Sequence, residues 1–222
     1  MITLATVNVG THSYFERLIK MTMPWNLVAD IGGTNARFSV VNHGELCDSI
    51  DLHYSVEDYS EFYQVIELVI DQLREFYGLA NAPDQVCFAV ACPADSEQIT
   101  FSNSHWKFFR KDLKRKFNCS ELHIINDFEA LAHGVTELSS KDLLSIGNGS
   151  ENPHKPKAIL GAGTGLGVSA LVPNRRGYGI ITGEGGHADF APVTDLQIEV
   201  LRHLLGSYGR VSFERLLSGK AC

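Results

Sequence analysis

Two glycine-rich segments, each directly after a short apolar run, constrain the fold of this 222-residue chain more than any other feature. The mainly apolar residues 25–30, which end in an acid, lead into Ile-Gly-Gly-Thr-Asn at 31–35, and residues 158–160 lead into a seven-residue stretch, 161–167, with four glycines. Glycines readily adopt the positive φ angles of tight turns. Apolar residues return after both segments, so the pattern predicts two strand–turn–strand units.

Helix and strand patterns alternate in the rest of the chain. Apolar residues three and four apart predict a helix over 59–77, and an unbroken apolar run predicts a strand over 86–92. Thr194 and Gln197 have the spacing of a capping box ahead of a helix over 195–205. Such alternation is typical of an α/β protein.

The charge balance argues against a nucleic-acid binder. The chain has 26 acidic and 19 basic residues and a formal net charge of −7, whereas phosphate binding depends on cations that displace counterions. The most basic segment, residues 107–116, is interpreted as the solvated face of a helix.

Composition also bears on location. The longest apolar run, residues 86–92, is far shorter than the ~20 residues of a membrane span. Five scattered cysteines without a close CxxC pair predict neither a zinc site nor a disulfide framework. We find no signal-peptide pattern at the N-terminus. A cytoplasmic protein without a membrane partner is expected.

The first turn is a candidate phosphate-binding loop. Its members are Asp30, Ile31, Gly32, Gly33, Thr34 and Asn35. Backbone N–H groups of a glycine turn approach an anion closely, and the Thr34 hydroxyl adds a donor. Asp30 can hold Mg²⁺ through water, because hard cations prefer carboxylate oxygen. A plain hairpin turn is the alternative.

The second turn offers a similar loop. Its candidate residues are Gly161, Gly163, Thr164 and Gly165. Gly165, Gly167 and Ala170 also fit a dinucleotide-binding fingerprint, which requires a helix that opens at the glycines. Residues 168–172 look like a strand instead, which favours a second phosphate-facing turn. A glycine turn without function remains an alternative.

Asn126 and Asp127 lie between a predicted strand over 122–125 and a predicted helix over 128–135. An acid at the exit of a strand is well placed for catalysis. It is equally well placed to cap the helix, so both roles stay open.

Two further sets of residues are suited to a small polar ligand. Glu184 and His187, separated by two glycines, can direct a carboxylate and an imidazole at one molecule. Asn103 and Trp106 can offer an amide and an aromatic wall. A surface turn and a core tryptophan are the alternatives.

Phosphoryl transfer needs mainly positioning, charge neutralisation and a carboxylate beside the accepting hydroxyl. The two glycine turns, the acid between them and these polar residues together favour a small-molecule kinase.

Seven stretches, in this order, resemble the bacterial glucokinase family, in its proteobacterial group, within the actin/hexokinase-like superfamily. They are LVADIGGTNAR (27–37), AVACP (89–93), SNSHW (102–106), IINDF (124–128), GAGTGLGV (161–168), GEGGHADFAP (183–192) and ERLLSG (214–219). The resemblance implies a two-domain actin-like ATPase (ribonuclease H-like) fold that uses ATP and Mg²⁺ to phosphorylate the 6-hydroxyl of D-glucose, for glycolysis.

The resemblance also implies residue roles. Asp127 would be the general base. Asn103, Asn126, Asp127, Glu184, His187 and Glu214 would bind the sugar. The turns 30–35 and 161–165 would clamp the phosphates, with Asp30 toward the metal. Full-length relatives suggest a homodimer.

The resemblance divides the chain into three parts. Residues 1–22 are an N-terminal extension of doubtful meaning, 23–137 form the smaller α/β domain, and 138–222 begin the larger α/β domain. Since the family continues well beyond Gly219, we expect a C-terminally truncated chain. An inactive fragment and a sugar-binding regulatory module are therefore the alternatives to an active kinase.

Overall fold

The computed structural model describes residues 24–101, 104–150 and 152–219. Two compact units divide the chain: unit 1 extends to Asp127, and unit 2 begins at Phe128. The sequence had suggested a division after residue 137, at the other end of the same helix. The predicted extension 1–22 lies outside the described residues.

The strands are β1 Trp25–Ile31, β2 Asn35–Asn42, β3 Glu45–Ser55, β4 Gln85–Val90, β5 Gln98–Thr100, β6 Lys107–Phe109, β7 Glu121–Asn126, β8 Lys157–Ala162, β9 Leu166–Asn174 and β10 Gly177–Gly183. The helices are α1 Phe62–Glu75, α2 Arg110–Phe117, α3 Asp127–Glu137, α4 Asp195–Leu205 and α5 Glu214–Leu217, with short 3-10 helices at Val56–Asp58 and Gly185–His187.

Unit 1 is built on a mixed sheet with the strand order β3-β2-β1-β4-β7. Strands β1, β2 and β3 form an antiparallel meander, whereas β4 and β7 run parallel to β1. Ile31 lies opposite Val90, and Val90 lies opposite Asn126. The carboxyl ends of β1, β4 and β7 therefore meet at one edge, where open α/β sheets commonly bind ligands.

The core of unit 1 is formed by side chains that its strands and helix α1 bury at regular intervals. Alternate residues of β1, from Trp25 to Ile31, are buried, and α1 buries one stripe from Phe62 to Leu73. Phe88 is fully buried and makes edge-to-face contacts with other aromatic rings at centroid distances near 6 Å, namely Phe38 at 5.8 Å, Phe117 at 5.9 Å and Phe62 at 6.3 Å. These contacts fix the middle of the sheet.

Unit 2 has an antiparallel sheet with the order β10-β9-β8. Its core cluster has Ala132, Ile159 and Leu171 as buried members, and they join one face of the sheet to α3. Leu160 and Ile181 carry exposed side chains. Helix α4 contains no buried residue.

Two differences from the sequence predictions have local causes. Helix α1 begins at Phe62 rather than at the predicted residue 59 because Glu61 and Gln64 form a capping box there. The strands β3 and β10 were not predicted, because the first half of β3 and most of β10 lack buried alternation. Among the described residues we find no helix that is both long and apolar enough to cross a membrane.

Candidate functional site

The turn between β1 and β2 is held by its own backbone. The Gly32 N–H donates to the Asn35 carbonyl at 2.9 Å, and the Val56 N–H donates to the Thr34 carbonyl at 2.9 Å. Asn35 Nδ2 donates to Thr34 Oγ1 at 3.1 Å, and both side chains are exposed. The turn thus presents polar groups at the carboxyl end of β1.

Ile31 and Asp30 play different parts in this turn. The Ile31 side chain is fully buried, and its carbonyl accepts a hydrogen bond from the Ala91 N–H at 3.1 Å. Ile31 therefore fixes the start of the turn to the core and to the segment after β4. The Asp30 carboxylate is exposed and lies 3.9 Å (Oδ2 to Nη1) from Arg37 on β2.

Asn126 and Asp127 lie at the same edge as this turn. Since β4 alone separates β1 from β7, strand spacing puts Ile31 and Asn126 roughly 10 Å apart. Asn126 Nδ2 donates to the Cys92 carbonyl at 3.4 Å. Because Asn126 pairs with Val90, Asp127 lies close to the end of β4. Burial first and the Asp127 charge second raise the pKa of the Cys92 thiol to about 11. Asn103 falls outside the described residues.

In unit 2, the glycines of the second turn have packing roles. Gly161 and Gly167 face each other across β8 and β9. A Cβ on Gly161 would come within 2.6 Å of the Phe128 ring, and one on Gly167 within 1.8 Å. Two of these glycines thus make room for an aromatic ring. The dinucleotide alternative is wrong, because a strand, β9, follows the turn where a helix would be needed.

Glu214 ties the second turn to α5. Its Oε2 accepts a hydrogen bond from the Leu166 N–H at 2.9 Å, and a Cβ on Gly165 would lie 2.7 Å from the same oxygen. The Gly163 N–H donates to the Gly165 carbonyl at 2.9 Å, and the Gly219 N–H donates to the Gly163 carbonyl at 2.7 Å. A Cβ on Gly163 would meet nothing within 4 Å, so this glycine borders open space.

Glu214 also brings the polar residues of unit 2 together. His187 lies between two carboxylates: Nε2 is 3.6 Å from Glu184 Oε2, and Nδ1 is 3.7 Å from Glu214 Oε1. The Glu214 side chain is 27% exposed, against 75% for Glu184. The three side chains form an open cluster of hydrogen-bonding groups that suits a hydroxylated ligand.

Sequence reasoning missed two arginines that organise these segments. Arg210 Nε donates to Asp189 Oδ1 at 2.5 Å, and its Nη2 donates to the His187 carbonyl at 2.6 Å. Arg110 belongs to the basic segment interpreted as a solvated helix face, yet its guanidinium turns to main-chain carbonyls. No local pattern marks either residue, since their partners are distant in sequence.

The described residues contain no group of three or more His, Cys, Asp or Glu side chains arranged to hold a metal ion. A single carboxylate such as Asp30 is nevertheless the usual protein contribution to Mg²⁺ that is bound together with nucleotide phosphates.

Comparisons with known proteins decide the family. A family model described as Glucokinase matches residues 27–221. The chain belongs to the glucokinase family. It is 40% identical over 196 residues to the glucokinase of Marinobacter nauticus, covering 88% of this chain and 60% of that protein.

Solved structures of this family share the fold. A glucokinase from an Antarctic psychrotroph superposes with a TM-score of 0.73 and 30% identity, over 90% of this chain and 62% of that one. The glucokinase of Balamuthia mandrillaris, solved in complex with glucose, gives 0.70 and 23%, over 92% and 63%. The predicted α/β sugar-kinase fold class is confirmed, and the chain spans about three fifths of the length of these relatives.

Proposed function

We propose that this chain functions as an ATP-dependent glucokinase that converts D-glucose to glucose 6-phosphate, the entry reaction of glycolysis. One observation carries the proposal: the Gly-Gly turn and Asp127 lie at the same carboxyl edge of the parallel strands β1, β4 and β7. A phosphate-facing turn and a carboxylate at such an edge are two of the parts that phosphoryl transfer uses. Family membership supports the same reading.

Asp127 would accept the proton of the glucose 6-hydroxyl as its oxygen attacks the γ-phosphate. The residue begins α3 and is half-buried, so it is held at a strand-to-helix junction. Proton transfer to a positioned side chain contributes roughly 10²–10⁴ to a rate.

The other predicted site residues divide by unit. In unit 1, Asn103 and Asn126 would bind sugar hydroxyls, and the turn 30–35 would bind phosphates. In unit 2, the Glu184–His187–Glu214 cluster would bind the remaining hydroxyls, and the turn 161–165 would bind phosphates. Because Glu214 already accepts from Leu166 through Oε2, its Oε1 would be the atom that meets the sugar.

Asp30 fits a Mg²⁺ ion that accompanies ATP. Its exposed carboxylate already faces one cation, Arg37, and an ion that keeps most of its waters needs no further carboxylate. When bound, Mg²⁺ neutralises charge on the transferred phosphoryl group. Because ATP is the donor, we place the protein in the cytoplasm. The homodimer remains a prediction that light scattering would measure.

The test uses the complete chain and a glucose-dependent ADP-release assay. We expect turnover in the wild type and a loss of roughly 10²–10⁴-fold in Asp127→Asn, with glucose binding retained in calorimetry. The matched control is Asp71→Asn, an isosteric change at an exposed acid of α1, which should behave as the wild type. Full activity in Asp127→Asn would refute the role of this carboxylate.

Sugar binding without turnover is the second candidate. The Glu184–His187–Glu214 cluster favours it, since hydroxyl binding there does not involve the phosphate turn of unit 1. Calorimetry distinguishes the two functions: a kinase binds glucose and ATP, whereas a sugar-binding module binds glucose alone.

A further inference from the structure

Arg110, the first residue of α2, connects segments that are far apart in the sequence of unit 1. Its Nε donates to the Ser96 carbonyl at 3.0 Å. Its Nη2 donates to the Ala94 carbonyl and, at 3.2 Å, to the Ile124 carbonyl. The guanidinium is thus held by three main-chain oxygens, two from the segment after β4 and one from β7.

The position of Ile124 gives this link its importance. Strand β7 is an edge strand, paired with β4. Ile124 precedes Asn126 by two residues, and Asp127 follows directly. The Arg110 side chain therefore joins the C-terminal half of β7, which leads directly into the proposed catalytic base, to the segment 94–96.

A second side-chain contact also joins β7 to the segment that follows β4. Asn126 Nδ2 donates to the Cys92 carbonyl at 3.4 Å, and Cys92 is only 5% exposed. Two side chains thus link the end of β7 to the chain that leaves β4. Arg110 is half-buried, so its hydrogen bonds are less screened by water than those of a fully exposed arginine.

We propose that Arg110 is a positioning residue that fixes the end of β7, and with it the Asp127 carboxylate, relative to the segment after β4. The proposal rests on the proposed function for its effect on turnover. A guanidinium suits this role because its planar fork donates in several fixed directions, whereas a lysine ammonium is a compact point charge. Small displacements of a catalytic group are costly, since a misplacement of about 1 Å can lower a rate by about 10²-fold.

The experiment compares Arg110→Gln and Arg110→Lys with Arg74→Gln, a matched change at an exposed arginine in the last turn of α1. Steady-state kinetics give kcat and KM for glucose, with active sites counted from the stoichiometry of glucose binding in calorimetry. We expect kcat per active site to fall roughly 10- to 100-fold in Arg110→Gln, with KM little changed. Arg110→Lys should recover only part of kcat, because one ammonium cannot replace the fork.

Two further outcomes separate positioning from plain stability. If Arg110→Gln lowers the unfolding midpoint but leaves kcat per active site equal to that of Arg74→Gln, the proposal is overturned. If Arg110→Gln does not fold, the kcat of Arg110→Lys decides by the same criterion.

Amide hydrogen exchange keeps this inference separable from the proposed function. Absence of turnover in the wild type would refute the kinase proposal. The positioning of β7 is then decided by exchange at residues 124–128, which should accelerate in Arg110→Gln and not in Arg74→Gln. Unchanged exchange there would overturn the inference.

Discussion

Unit 1 and unit 2 contain the same kind of segment, a strand, a glycine-rich turn and two further strands, but they are stabilised differently. Unit 1 buries complete aromatic rings, including Phe62, Phe88 and Trp106. In unit 2 the core cluster has three buried members, Ala132, Ile159 and Leu171. Large apolar side chains of unit 2 remain exposed, with Val193 at 84% and Leu196 at 70%.

The difference shows that similar turns can be ordered by different means. Apolar burial is the main stabilising force in a core. In unit 1 the fully buried Ile31 side chain joins the start of the turn directly to such a core. Unit 2 holds its turn through polar contacts, in which Glu214 accepts from Leu166 and Gly219 donates to Gly163. We therefore expect core changes to matter most in unit 1.

The largest effect is expected for Phe88→Ala. Removal of a fully buried ring that contacts three other rings should lower the free energy of unfolding by about 3–5 kcal/mol. Urea unfolding followed by tryptophan fluorescence measures it, since both tryptophans, Trp25 and Trp106, lie in unit 1. Phe76→Ala, at a ring that is 52% exposed, is the control. Equal losses in the two variants would contradict the deep core of unit 1.

A smaller and more local effect is expected for Leu171→Ala in unit 2. Leu171 is 1% exposed, but it packs in a small cluster that can relax around the lost side chain. We therefore expect the free energy of unfolding to fall by about 2 kcal/mol, the low end for such changes. Hydrogen exchange of β8, β9 and β10 should accelerate while the tryptophan transition stays in place. Leu160→Ala, on a 66% exposed side chain, should change neither. A shift of the tryptophan transition by Leu171→Ala would show that the units do not unfold separately.

Local sequence signals predicted the elements whose causes are local. Thr194 accepts from the Gln197 N–H, so the capping box ahead of α4 is confirmed. The apolar runs of β1 and β4 are likewise strands, because their pattern reflects burial of the strand itself. Most of β10 is only partly buried or exposed, so the sequence carries no comparable signal for it.

The contacts of the candidate site depend on distant partners. Glu214 reaches Leu166 across 48 residues, and Arg110 reaches Ile124 across 14. The glycine-rich stretch 161–167 suggested a phosphate turn, whereas the proximity of Phe128 explains why Gly161 and Gly167 cannot carry a side chain. Residue chemistry was therefore predictable, but the positioning contacts were not.

The smallest expected effect is a pH dependence of stability, because the pKa shifts differ between the two units. Burial raises the pKa of Tyr54 and Cys92 in unit 1. In unit 2 the pKa of the exposed Asp142 carboxyl is lowered, because it accepts hydrogen bonds from Ser139. The Cys92 thiol ordinarily has a pKa of 9.0 and reaches about 11 in the fold, through burial first and the Asp127 charge second.

Because the fold favours the neutral thiol, Cys92 costs no stability below pH 9. Between pH 9 and 11 the unfolded thiol ionises while the folded one does not, so stability falls as pH rises. We expect the tryptophan-monitored free energy of unfolding to decline over this range in the wild type, and less steeply in Cys92→Ala. Part of the slope should remain in that variant, since Tyr54 also keeps its proton longer in the fold. Cys47→Ala, at a cysteine less buried than Cys92, should keep the full slope, and an identical slope in all three proteins would show that Cys92 is not held neutral by the core.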